Sequence, residues 1–235
     1  TNYATMHKTL NAEQIEQLYT FTRQHFVEYY DLQTELVDHL ANAIETLWEV
    51  KPQLTFDDAL KTEFKKFGIY GFSDVVEERQ KALGKKYTKL MARYFKEFFK
   101  LPRILLTIAM FVITYKLFKF FLPVYIPLIL ILEGFSFYRI IKLKKIYKVK
   151  TDATGKRWLL EEMIYRGGSA MAVAGMTIQF MQFALRDHLQ EIFILLMALV
   201  FVLSLMHSYV VLYVIPAKAT EHLSAAYPGY KWEKL

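Results

Sequence analysis

Hydrophobic and polar positions follow two different rhythms along this chain, and the rhythm changes near residue 100. Before it, apolar side chains recur every three or four positions among charged ones, the period of a helix with one buried face. Ile15, Leu18 and Phe21 form one such stripe, and Leu32, Leu36, Leu40, Ile44 and Leu47 form a second. Asn11 stands where its side chain can accept from the first-turn donors of a helix running to about Tyr29. Thr55, with Asp58 three residues on, predicts the start of a third helix that turns Phe56, Leu60, Phe64 and Phe67 inward and stops at Gly68. Ser73 then predicts the cap of a fourth.

Beyond residue 100 the polar phase disappears. Four apolar stretches, 102–121, 123–142, 168–185 and 191–215, each approach the roughly 20 residues that cross a bilayer core of about 30 Å. Lys116 and Lys119 lie near the end of the first, where long stems reach the headgroups. Pro123 and Pro127 fit a tight turn into the second. Between the two rhythms, Leu83, Tyr87, Leu90, Met91, Tyr94, Phe95 and Phe98 make an apolar stripe, while Lys85, Lys86, Lys89, Arg93 and Lys96 occupy the remaining surface. Such a helix suits the bilayer interface, its rings at the acyl boundary and its cations on anionic headgroups.

The pattern therefore predicts an all-α polytopic membrane protein. Residues 1–80 form an acidic cytoplasmic helical domain, 81–101 a basic amphipathic interfacial helix, 102–215 a region of four transmembrane helices, and 216–235 a cytoplasmic tail. Composition agrees, with 54% hydrophobic and 16% aromatic residues in 235. The chain has no Cys, which excludes disulfides, thiolate metal sites and a cysteine nucleophile.

Charge sets the expected orientation. Residues 1–78 carry 6 Lys+Arg against 14 Asp+Glu, whereas 79–103 carry 9 against 1 and 139–166 carry 9 against 3. The two basic segments belong on the inner side. The link Arg186 to Glu191 has no basic excess and is expected outside. The opening TNYATMHKTLNAEQ lacks the basic start and apolar centre of a secretory signal, so both termini are expected in the cytoplasm.

The stretch TELVDHLANAIE followed by TFDDALKTEFKKFGIYGFSDVVEER resembles the small helical domains that precede the membrane segments of bacterial signalling-type or permease-linked proteins. It is more similar still to uncharacterised four-span inner-membrane proteins of the Bacteroidota. The similarity covers residues 11–83. It implies a regulatory or interaction-directed domain in a bacterial inner membrane and brings no catalytic motif.

The candidate chemistry is sparse. Glu133 is the one acid inside a predicted span. At about 1.5 Å per residue from the inner ends near 142 and 215, it lies roughly 13 Å deep and His207 roughly 12 Å deep. Gln179, Ser136, Ser204 and Ser208 add hydrogen-bonding groups in the same half. These groups either exchange a proton or bond across helices to fix the bundle; the second is the simpler reading. Gly168, Ala172 and Gly175 belong to a run of small residues that lets helices approach closely. Glu35, Asp38, His39 and Asn42 form the polar face of the second helix. Glu35 and His39, four apart, are spaced to share a metal ion, but a solvated or partner-facing surface explains them more simply.

No phosphate-binding glycine loop, zincin helix or nucleophile elbow occurs. The expectation is a non-enzymatic accessory or regulatory subunit, with no cofactor and no nucleic acid. Its expected partners are membrane lipid and another inner-membrane complex (a translocase, permease or respiratory assembly) or a second copy of itself. A small proton- or ion-coupled transporter built on Glu133 and His207 is the alternative.

Overall fold

The computed structural model describes residues 8–183, 190–227 and 229–230, and every regular element among them is helical. Contacts divide the chain into two compact units: Thr1–Leu83 with Gly155–Leu159, and Gly84–Thr154 with Leu160–Leu235.

The first unit contains α1 (Ala12–Gln24), α2 (Tyr30–Val50), α3 (Phe56–Lys65) and the opening of α4 (Ser73–Lys96). Asn11 caps α1 through a capping box: its side chain accepts from the Gln14 N–H at 2.8 Å, and the Gln14 side chain accepts from the Asn11 N–H at 3.0 Å. The helix ends at Gln24, short of Tyr29. Phe26 adopts φ 64, and the reversed chain drives Val27 into the core with its carbonyl accepting from Gln33 Nε2 at 2.7 Å. An uninterrupted helix would have left Val27 on a different face. Thr55 caps α3 by accepting from the Asp58 N–H at 3.2 Å, and Gly68 at φ +76 ends it.

Leu18, Leu36, Leu40, Ile44 and Trp48 are buried at the centre of this unit. Phe21, His25, Phe64 and Phe72 close one side as an aromatic cluster, with Phe21 edge-on to Phe64 at 5.0 Å. Residues 155–159 complete the unit. Arg157 pairs with Glu28, the Tyr30 N–H donates to the Arg157 carbonyl at 2.7 Å, and Trp158 meets Tyr30 edge-on at 5.4 Å. The basic run before Trp158 reads in sequence as a solvated loop and Trp158 as an interfacial anchor; instead the loop docks, because Trp158 finds an aromatic partner and is buried.

The second unit holds the apolar helices. The later part of α4 leads through a 3-10 turn, Glu97–Phe99, to α5 (Arg103–Phe120), bent by 81° where Pro102 supplies no backbone donor. A 3-10 turn at Leu122–Val124 opens α6 (Tyr125–Thr154). Then follow α7 (Leu159–Arg166), α8 (Gly168–Gln179) with a 3-10 turn to Phe183, and α9 (Glu191–Tyr209). A π turn at Val210–Val214 leads to α10 (Ile215–Ala217) and α11 (Ala219–Ala226).

Two helical runs, Leu122–Thr154 and Glu191–Ala217, are long and apolar enough to cross a membrane, and α4 with α5 makes a third if the bent pair is one span. α6 continues past 142 into the Lys-rich segment, since leaving the apolar stretch is no reason for a helix to stop when lysines are good helix formers. α8 differs most from its expected span of 168–185. It has 12 residues, about 18 Å, and breaks into the 3-10 turn Phe180–Phe183. Residues 184–189, which carry most of the predicted outer link, lie outside the described residues.

Phe118, Tyr125, Ile129, Leu132, Met197 and Ala198 form one core cluster of this unit, and Ile140, Leu143, Ala170, Val211 and Leu212 another. Gly167 sits in the second. Its φ of +60 starts α8 from the left-handed region, and a Cβ there would press on Leu212 at 3.1 Å and Ile140 at 3.2 Å.

Candidate functional site

The polar groups of the apolar helices tie those helices together. Thr177 on α8 is fully buried; its hydroxyl donates to Glu133 Oε1 on α6 at 2.8 Å, and its carbonyl accepts from the Tyr125 hydroxyl at 2.7 Å. Glu133 thus bonds to α8 and makes no ion pair with His207. Ser136 is buried, while Gln179 is exposed. His207 Nε2, Tyr87 Oη and Ser169 Oγ are buried atoms without a completed hydrogen bond. On the opposite face of α8, Ala172 and Gly175 are exposed, and a Cβ built on Gly175 meets nothing within 4 Å.

At the other end of α5 and α9, Lys119 pairs with Glu191. Both are exposed, so the pair orients more than it stabilises.

Glu161 and Glu162 on α7 were not legible as functional groups in the sequence, yet both are buried. Lys150 pairs with Glu161, which also accepts from the Tyr230 hydroxyl at 2.9 Å. Arg166 holds Glu162 at 3.0 Å, and the Tyr147 hydroxyl donates to it at 3.1 Å. Burial, then the nearby Glu161 charge, raises the Tyr165 pKa. The only sequence signal was an acidic pair interrupting a basic run; its partners come from 11 and 69 residues away. This network fastens Tyr230 to α6 and α7.

The interfacial stripe is half-covered inside the second unit. Met91 packs on the cluster around Ile140, Tyr94 meets His222, and Phe98 lies edge-on to Tyr209 at 6.2 Å. Lys85, Lys86, Lys89, Arg93 and Lys96 remain exposed. In the first unit Glu35, Asp38, His39 and Asn42 are exposed together. Glu35 pairs with Arg79, whose pKa is raised mainly by that bond. His39 and Asn42 border a shallow groove of about 420 Å³ with Thr46, Glu63 and Lys66.

A cleft of about 990 Å³ lies in the second unit, within the size range of small-molecule sites. Its walls come from α5, α6 and α9, and its mouth from the end of α4, the start of α5 and Lys218. The π turn forms part of the wall. Opening the turn by one residue frees backbone groups, and Arg139 Nε donates to the Leu212 carbonyl at 3.1 Å while its guanidinium covers the Tyr213 ring at 4.7 Å.

No protein-family model matches the chain, and no curated protein or solved structure matches it either.

Proposed function

We propose that this chain is an accessory or regulatory subunit of a bacterial inner-membrane assembly, crossing the bilayer four times with both termini in the cytoplasm. The first unit contacts a protein partner, and the apolar helices join the larger assembly. The observation that carries the reading is the surface of those helices. Leu105, Leu106, Ile108 and Ile113 on α5, and Leu130, Ile131 and Phe135 on α6, are all exposed. Contiguous apolar surface of that kind is covered by lipid or by another membrane helix. The open face of α8 at Ala172 and Gly175 suits close approach by such a helix.

A structural use of the intramembrane polar groups favours a subunit over a transporter, because Glu133 is engaged by Thr177 across two helices. Purification of the full chain in mild detergent tests the reading. A stoichiometric partner that is lost in the Asp38→Lys, Asn42→Lys double variant supports it. A pure homo-oligomer whose proton-linked flux disappears in Glu133→Gln would replace it with an ion-coupled transporter. Reporter fusions after residues 155 and 230 should read cytoplasmic, and one after 187 periplasmic.

A further inference from the structure

The cleft in the second unit divides sharply by chemistry. Arg93 and Glu97 from the end of α4, Arg103 from the first residue of α5, and Lys218 after α10 stand at one end. Away from them the walls are mostly apolar, with Met110 two turns into α5, about 10 Å from Arg103, and Leu132, Leu205 and Met206 on the other helices; Thr107, Ser136 and Ser208 are the uncharged polar exceptions. Among the described residues none of the three cations at the mouth is ion-paired. The one acid there is engaged: Lys100 holds Glu97 at 2.5 Å and, with Arg103 nearby, keeps its carboxyl below the usual range. Lys218 lies only over the ring of Tyr94, at 5.2 Å.

The positive field at this end is felt by His222, which is hydrogen-bonded to the Tyr94 hydroxyl at 3.1 Å. Burial lowers its pKa most; Glu221 opposes this, and Lys218 and Arg93 add to it. The imidazole thus carries the mark of the nearby cations and offers them no counter-charge. Behind them Tyr209, Tyr213 and Phe135 stack in sequence at 6.0 and 6.1 Å, an aromatic wall set by the π turn.

We propose that this cleft holds one anionic phospholipid, its phosphate among Arg93, Arg103 and Lys218 and its acyl chains along Met110, Leu132 and Leu205. An acidic peptide would satisfy the cations and leave an apolar trough open; a neutral lipid would fill the trough and leave the cations bare. A phosphodiester with an acyl tail satisfies both, since charge-assisted hydrogen bonds recognise its oxygens and burial recognises its chains. The site depends on the bilayer reading of α6 and α9, which puts its basic end on the inner side, where anionic lipids concentrate.

The test uses the full chain in nanodiscs of phosphatidylcholine with or without phosphatidylglycerol, read by native mass spectrometry for lipid retained on release. Wild type should retain phosphatidylglycerol over phosphatidylcholine by about tenfold. The Arg93→Gln, Arg103→Gln, Lys218→Gln variant should lose that preference, while Lys142→Gln, Lys144→Gln, Lys145→Gln on the exposed face of α6 keeps it. Leu205→Trp, which narrows the trough, should weaken retention of both lipids, with unfolding temperature as the folding control. Equal retention of the two lipids by wild type, equal loss in both triple variants, or displacement by inorganic phosphate alone would overturn the site. Separately, release of the chain from membranes by carbonate would overturn the bilayer reading, so the two failures are distinguishable.

Discussion

α2 and α5 are built from much the same apolar residues, and they differ in what they leave outside. On α2 the exposed positions include Glu35, Asp38, His39 and Asn42, alternating with buried Leu36, Val37 and Leu40. On α5 only Thr114 and Phe118 are buried, and the outside is mostly apolar, Leu105, Leu106, Ile108 and Ile113 among it, with Arg103, Lys116 and Lys119 towards its ends. Burial is helical in period on both. The exposed residues differ in kind: polar on α2, as on a helix that faces water, and mostly apolar on α5.

The comparison can be broken most strongly at Leu40, which is fully buried. Leu40→Ala should lower the unfolding free energy of the first unit by about 2–5 kcal/mol. Trp48 and Trp158 both lie buried in that unit, so their fluorescence during denaturation of the full chain in detergent reports the change. If the loss is below about 0.5 kcal/mol, α2 is not packed as a core helix.

A charge on the other kind of surface should act on insertion instead. Ile131 is exposed near the middle of the apolar stretch 123–142, and Ile131→Asp should cost about 2.5–3.5 kcal/mol in translocon-mediated insertion. The tryptophan transition should be unchanged. Unimpaired insertion would mean that this face of α6 meets water or a polar partner.

Smaller effects sharpen the contrast at the helix ends. Asn11→Ala removes the side-chain acceptor of the capping box and should destabilise the first unit by about 1 kcal/mol in the same denaturation experiment. Nothing equivalent exists for α5, whose start at Pro102 has no side-chain cap.

The smallest effect concerns pH. His222 has a lowered pKa when folded, mainly through burial. The unfolded chain therefore binds more protons between that value and the ordinary 6.5, and stability rises with pH across this window. Below 6.5 the melting temperature of the second unit should fall in wild type and fall less in His222→Gln; parallel curves would remove His222 from the account.

Local rules made much of the first unit legible. Caps at Asn11 and Thr55, the stop at Gly68 and the stripe from Leu32 to Leu47 all depend on neighbours within four residues. The end of α1 was not legible, because it is set by Val27 and Gln33 meeting after the chain reverses at Phe26. Nor was the docking of Arg157 and Trp158, more than a hundred residues from Glu28 and Tyr30. In the second unit hydropathy marked the apolar stretches, but it averages over residues and is blind to where a helix breaks; hence the short α8 and the long α6. Polarity within apolar stretches singled out Glu133 and His207, which the structure does not pair. That criterion did not find Thr177, the group that Glu133 bonds, since a lone threonine in an apolar run carries no signal of its own.

A π turn is an ordinary helix with one residue inserted, and the insertion shifts the angular phase of everything downstream by about 100°. Deleting a single residue from Val210–Val214 would restore regular winding and swing Lys218 and the start of α11 around the helix axis, with no change in charge or hydropathy. The chain's sensitivity there is thus one of counting: a lineage could replace many of those side chains freely, but it could not lose one.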